Sequence, residues 1–81
     1  MAIESVKEKV DRLKLKADLF LKENIRAFVK DVYGTFYFCN IIKIEEDALF
    51  IKDFEGKREG ITSKLFWLDI ESIQEYKEKL E

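Results

Sequence analysis

The spacing of apolar residues along the chain changes at Asn24. Before that point they recur every three or four residues, as on one face of an amphipathic helix. These positions are Ile3, Val6, Val10, Leu13, Ala17 and Phe20. After it they come in short runs of branched and aromatic side chains separated by acidic or glycine-containing turns, which is typical of strands. The pattern predicts a helix over residues 3–24 and a β unit over residues 25–76.

Local signals define the ends of the helix and leave its partner open. Ser5 followed by Glu8 is a capping-box pattern, and Asn24 tolerates the left-handed conformation that ends helices. The six apolar positions, from Ile3 to Phe20, either cover one end of the β unit or form an interface with another helix. We favour the first arrangement. Leu15, Leu19 and Leu21 widen the apolar surface near the C-terminal end, which indicates that this half packs on the β unit.

The β region divides into five predicted strands. Four of them cover residues 25–30, 35–44, 48–53 and 60–67, with Ile61, Leu65 and Trp67 in one phase of the fourth. Gly34 and Gly56 lie in turns that favour positive φ. In the second strand Phe36, Phe38, Ile42 and Ile44 share a phase, and the adjacent Ile41 and Ile42 indicate a bend that serves two faces.

The C-terminal segment is open to two interpretations. Residues 69–80 form either a tight turn leading to a short fifth strand, or a helix capped by Asp69. We favour the strand, with residues 77–81 as a frayed tail. The predicted fold class is α+β, mainly β: an N-terminal helix followed by a strongly bent, five-stranded antiparallel barrel in a single domain over residues 1–81.

Composition limits the chemistry. The chain has 81 residues, 47% hydrophobic and 40% charged, with no histidine, so the commonest general base and metal ligand is absent. Cys39 is the single cysteine; it cannot form an internal disulfide, and we expect an inert, buried thiol in a cytoplasmic protein. The acidic turn at residues 45–47 lacks the spaced ligands of a calcium loop. We therefore predict no enzyme, no metal, no cofactor and no membrane-spanning segment.

Basic and aromatic residues give one hint of nucleic-acid binding. Arg26, Phe28 and Lys30 alternate on one face of the first strand, where a base could stack between phosphate contacts. The third-to-fourth strand region is also basic, with Lys52, Lys57, Arg58 and Lys64, and Arg58 is predicted to share a strand face with Lys64. The alternative is a charged outer face with Phe28 covered by the helix. A net charge of −2 argues against a DNA partner.

Two segments resemble the Sm-like small barrels, a branch of the SH3-type barrels. They are IRAFVKDVYGTFYFCNIIKIEEDALFIKDFEGKREG, residues 25–60, and LFWLDIESI, residues 65–73. The resemblance spans residues 1–76 and implies an open-edged barrel that self-associates. The turn at residues 45–48 has no asparagine, and Trp67-Leu68 replaces the family's arginine-glycine pair, so its base-holding residues do not carry over.

These observations predict a non-enzymatic interaction or self-assembly module. Its partner is another protein or a second copy of the chain, in a homo-oligomer. The alternative is a weak single-stranded RNA-binding protein using Arg26, Phe28, Lys30, Lys57 and Arg58.

Overall fold

The computed structural model describes residues 4–77, which form one helix and five strands. The helix α1 is Val6–Glu23, and the strands are β1 Arg26–Asp31, β2 Phe36–Ile44, β3 Ala48–Asp53, β4 Thr62–Phe66 and β5 Ile70–Glu75. A single 3-10 turn, Trp67–Asp69, joins β4 to β5. The predicted α+β, mainly β fold class is confirmed, and so is the strand at the C-terminal end. Ile3 and most of the predicted tail lie outside the described residues.

The five strands form one antiparallel sheet in the order β4-β3-β2-β1-β5. Because β4 and β5 do not pair with each other, the sheet is open, so the five strands do not form a closed barrel. Helix α1 packs against β2, β5 and the 3-10 turn. Its buried side chains pack on the core, which in a closed barrel the strands would enclose by themselves.

The ends of α1 follow from its caps. The hydroxyl of Ser5 accepts a hydrogen bond from the backbone N–H of Glu8 at 3.1 Å and donates to the Glu8 carboxylate at 3.2 Å. Asn24 has a φ of 54°, the left-handed conformation that ends a helix. The predicted caps at Ser5 and Asn24 are therefore confirmed, and the helix begins at Val6, three residues after the predicted start.

The apolar face of α1 is divided between the core and solvent. Leu13, Ala17 and Phe20 are buried against the sheet, so this part of the predicted interface is already occupied within the chain. Val10 is partly buried at the edge of the core, whereas Val6 is 64% exposed. Of the described interface candidates, those near the N-terminal end of α1 remain accessible.

A bulge in β2 sets the two faces of the sheet. Ile41 pairs with Ile51 and Lys43 with Phe50, so Ile42 is the extra residue, and it is 45% exposed while Ile41 is buried. The predicted bend at Ile41 and Ile42 is confirmed. The predicted phase of β4 is wrong at Ile61, which is 51% exposed because the strand begins one residue later.

Candidate functional site on the outer sheet face

The sheet has one face on the core and one face turned away from it. Cross-strand pairing places alternate residues of β1–β4 together on the second face, which we call the outer face. Apart from the small, buried Ala48, its side chains are Arg26, Phe28, Lys30, Phe36, Phe38, Asn40, Lys43, Phe50, Lys52, Thr62, Lys64 and Phe66. The three β1 residues predicted from the sequence therefore belong to a much wider surface.

The outer face is rich in cations and aromatic rings. It carries five of the chain's seven phenylalanines and five Lys or Arg residues, and none of these strand positions is a carboxylate. The chain as a whole has a net charge of −2, so positive charge is concentrated on this face. At its borders Glu71 pairs with Lys30 at 3.0 Å and Glu45 pairs with Lys43 at 3.1 Å. Among residues 4–77, no ion pair within 4.0 Å engages the other three cations of the face, Arg26, Lys52 and Lys64.

One aromatic cluster lies across β1 and β2. The rings of Phe28 and Phe36 stack with centroids 5.2 Å apart, and Phe38 lies 5.2 Å from Phe28 on the other side. Phe36 is 45% exposed, and Lys30 lies over its ring at 5.6 Å. Phe28 is half-buried by these rings and not by α1. The alternative in which the helix covers Phe28 is therefore wrong, because α1 packs on the opposite face.

The cluster extends toward the end of β5. Tyr76 meets Phe38 and Phe54 edge to face, with centroid distances of 5.7 and 5.0 Å. The guanidinium of Arg26 lies 4.7 Å from the centre of the Phe54 ring. These contacts hold aromatic and basic side chains in fixed relative positions.

A second cluster lies on β2, β3 and β4; its Lys64 was noted in the sequence, but its aromatic rings were not. Lys64 lies over Phe50 and Phe66 at 5.8 and 5.2 Å, and Lys43 lies over Phe50 at 5.7 Å. Phe66 is 48% exposed. The signal was the alternation of phenylalanine and lysine within single strands, but only the register shows that the strands bring these residues side by side.

Lys57 and Arg58 lie in the β3–β4 connection, away from the strand positions. Arg58 donates to the carbonyl of Phe36 at 2.6 Å, and its guanidinium lies 4.4 Å from the Tyr37 ring centre. Its Nε is 3.6 Å from a carboxylate oxygen of the buried Asp53. Arg58 is thus held by intramolecular contacts, and the prediction that it shares a strand face with Lys64 is wrong because β4 begins only at Thr62.

The remaining candidates for chemistry are structural. Cys39 is fully buried, and desolvation, with a smaller effect of Asp53, raises its pKa to about 12. In the acidic turn, Glu45 pairs with Lys43 at 3.1 Å. Across residues 4–77 no group of three or more acidic or cysteine side chains converges on a metal position. The one helix in that range is too polar to cross a membrane.

Comparison with protein-family models, with curated proteins and with solved structures finds no match to this chain. Its function must therefore be inferred from the surfaces that the fold displays.

Proposed function

We propose that this chain is a non-enzymatic binding module whose outer face binds single-stranded RNA. The observation that carries this proposal is the row of exposed rings and cations on β1–β4, with no carboxylate at any outward position. The buried, protonated thiol of Cys39 supports a role without nucleophilic catalysis. A single buried thiol also suits a reducing cytoplasm, the setting we propose.

Single-stranded RNA fits both properties of the face. Its unpaired bases stack on aromatic side chains, and its phosphates pair with Lys and Arg. Phe36 and Phe66 are the most exposed rings of the two clusters, and each has a lysine ammonium over its ring, at 5.6 and 5.2 Å from the ring centre. The arrangement therefore offers two stacking positions flanked by phosphate contacts.

A second copy of the chain does not suit this surface. Two outer faces brought together would place five cations against five, and like charges disfavour such a contact. An anionic ligand with flat apolar groups satisfies the face better than another cationic surface.

Charge reversal on the outer face tests the electrostatic part of the proposal. We expect Lys52→Glu with Lys64→Glu to weaken binding of a fluorescein-labelled single-stranded RNA strongly and to flatten its salt dependence, since each phosphate contact adds about −0.7 to the logarithmic slope. Fluorescence anisotropy at two salt concentrations measures both. The control, Lys7→Glu with Lys14→Glu, makes the same charge change on α1. Equal loss in the two double variants, or no binding at low salt, would contradict the proposal.

Removal of the exposed rings tests the stacking part. Phe36→Ala and Phe66→Ala should each weaken RNA binding by about 1–3 kcal/mol, the usual contribution of base stacking. Ile61→Ala is the matched control, because Ile61 is similarly exposed but lies in the turn before β4. If all three variants bind RNA like the parent, the rings do not stack with bases.

We also propose self-assembly through the strand edges as a second candidate, because within residues 4–77 no strand pairs with the outer side of β4 or of β5. A helix followed by five antiparallel strands supports the resemblance to Sm-like barrels, in which such edges associate. The backbone N–H of Tyr76 donates to the carbonyl of Arg26 in β1. Because successive N–H groups of a strand point to opposite sides, the N–H of Glu75 points away from β1.

A proline at the free edge of β5 tests this candidate. Glu75→Pro removes an outward-facing N–H donor without removing a β1–β5 hydrogen bond. If the β5 edge mediates assembly, this variant should shift the equilibrium from oligomer to monomer. Size exclusion with light scattering over a concentration series measures the mass. A parent chain that is monomeric at high micromolar concentration would eliminate the self-assembly proposal.

A further inference from the structure

A groove at one end of the sheet differs from the outer face in that apolar and acidic residues line it. It has a volume of about 410 Å³ and lies between α1, the β2–β3 turn and the 3-10 turn. Its apolar walls are Val10, Phe66, Trp67 and Leu68. Only Phe66 is shared with the outer face, where Lys64 lies over its ring at 5.2 Å.

The apolar surface of the groove is both accessible and fixed. Leu68 is 65% exposed and Phe66 48% exposed, whereas Trp67 is 2% exposed and forms the floor. The indole N–H of Trp67 donates to the carbonyl of Glu45 at 2.9 Å, and the backbone N–H of Trp67 donates to the carbonyl of Asp47 at 3.2 Å. The 3-10 turn and the β2–β3 turn are thereby tied together, so the groove is formed before any ligand arrives.

The rim of the groove is acidic. Glu46, Asp47 and Asp69 line it, and Asp69 also accepts a hydrogen bond from the Tyr33 hydroxyl at 3.3 Å. In the part of the chain that the structure describes, no Lys or Arg nitrogen lies within 4.0 Å of these three carboxylates. Exposed apolar side chains and unmatched negative charge therefore coincide.

We propose that this groove binds a peptide segment of a partner protein in which an apolar side chain is flanked by Lys or Arg. The apolar side chain would be buried against Leu68 and Trp67, and the flanking cations would meet the three carboxylates. RNA is disfavoured by the negative rim. The volume lies in the range of about 300–1,000 Å³ that is usual for ligand pockets, so it can take a few side chains of a peptide.

The fluorescence of Trp67 reports directly on binding in the groove, because Trp67 is the only tryptophan of the chain. The probe is a short synthetic peptide with two leucines flanked by lysines, added to the full chain while tryptophan fluorescence is recorded. We expect a saturable change that weakens as salt is raised. Analogues with glutamate in place of lysine, or serine in place of leucine, should give no saturable change.

Two pairs of variants locate the peptide. Leu68→Ser and Glu46→Lys should each raise the dissociation constant by about fivefold or more. The matched controls, Leu15→Ser on the solvent side of α1 and Glu59→Lys in the β3–β4 connection, should leave it unchanged. Equal binding of the glutamate analogue, or insensitivity to both groove variants, would overturn the proposal. Self-association abolished by Leu68→Ser would also overturn it, since it would assign the groove to a second copy.

Discussion

Asp31 shows how a single buried carboxylate organises the turn before β2. It is 5% exposed and accepts hydrogen bonds from the backbone N–H groups of Tyr33 and Thr35, at 2.9 and 2.8 Å, and from the hydroxyl of Tyr37 at 3.1 Å. Gly34, within this turn, has a φ of 88°. Aspartate and glycine in this order indicate a turn from sequence alone. The bond from Tyr37 was not predictable, because it depends on how β2 folds back.

At the same scale, Cys39 should make stability depend on pH. Its folded pKa of about 12 lies above the ~8.5 of an unfolded cysteine, so folding favours the protonated thiol. The contribution of Cys39 to the free energy of unfolding is therefore fully present below about pH 8.5 and is lost as the pH rises toward 12. We expect a loss on the order of 1–2 kcal/mol between about pH 8.5 and 10.

Urea denaturation across that interval measures the effect, with Cys39→Ala as the control. The variant should lack this part of the pH dependence. The pKa of Tyr37 is raised mainly by burial, and that of Tyr33 mainly by Asp69. Ionisation of these tyrosines would add its own pH dependence at higher pH, so the measurement stops near pH 10. Parallel profiles for the parent and Cys39→Ala would show that the thiol is not responsible.

At the scale of elements, α1 carries one leucine on the face that packs against the sheet and another on the face turned to solvent. Leu13 is fully buried against the sheet, whereas Leu15, two residues later, is 74% exposed. Both are leucines near the middle of the same helix, so they share helix propensity and differ mainly in burial. They therefore separate the contribution of packing from that of the helix itself.

We expect Leu13→Ala to lower the free energy of unfolding by about 2–5 kcal/mol, because it leaves a cavity in the core. Leu15→Ala should change it by less than about 0.5 kcal/mol. Urea denaturation monitored by circular dichroism compares the two. Similar losses in both variants would mean that α1 is not docked as described.

The strands show why the outer face was only partly predicted. Alternation identifies residues that share a face, but β1–β4 carry apolar side chains on both faces, so it does not say which face is the core. In β2, Phe38 and Ile44 have the same parity, yet the bulge near Ile42 places Phe38 on the outer face and Ile44 against the core. The bend was predictable from Ile41 and Ile42; the resulting exchange of faces was not.

For the whole molecule, one core joins the helix to the sheet. Buried side chains from α1, from all five strands and from the 3-10 turn belong to a single cluster. Trp67 is part of this core and ties its turn to the β2–β3 turn. A chain of this size with one shared core is expected to unfold as a unit.

We predict coincident transitions when unfolding is followed by far-ultraviolet circular dichroism, which reports mainly on α1, and by Trp67 fluorescence, which reports on the sheet core. The two urea curves should give the same midpoint and slope. Leu13→Ala should shift both together. Loss of helical signal at a lower urea concentration than the fluorescence change would instead show that α1 detaches from a folded sheet.

Charge is also distributed at this scale. The outer face presents cations without carboxylates, and the groove beside Trp67 presents carboxylates without nearby cations. The net charge of −2 does not reveal this separation, because it is the sum of 15 basic and 17 acidic residues over the whole chain. A near-neutral total therefore does not exclude a local RNA-binding surface, although it argues against a general DNA-binding protein.

The sequence by itself determined the order and type of the elements, the capped ends of α1, the turns at Gly34 and Gly56, and the lack of histidine chemistry. These depend on neighbours within a few residues, where propensity, capping and periodicity act. The tertiary structure alone decided that the sheet stays open, that Leu13, Ala17 and Phe20 serve the chain's own core, and that phenylalanines from four strands meet on one face. Such features depend on register and on which face the helix covers, and these are set by packing between residues distant in sequence.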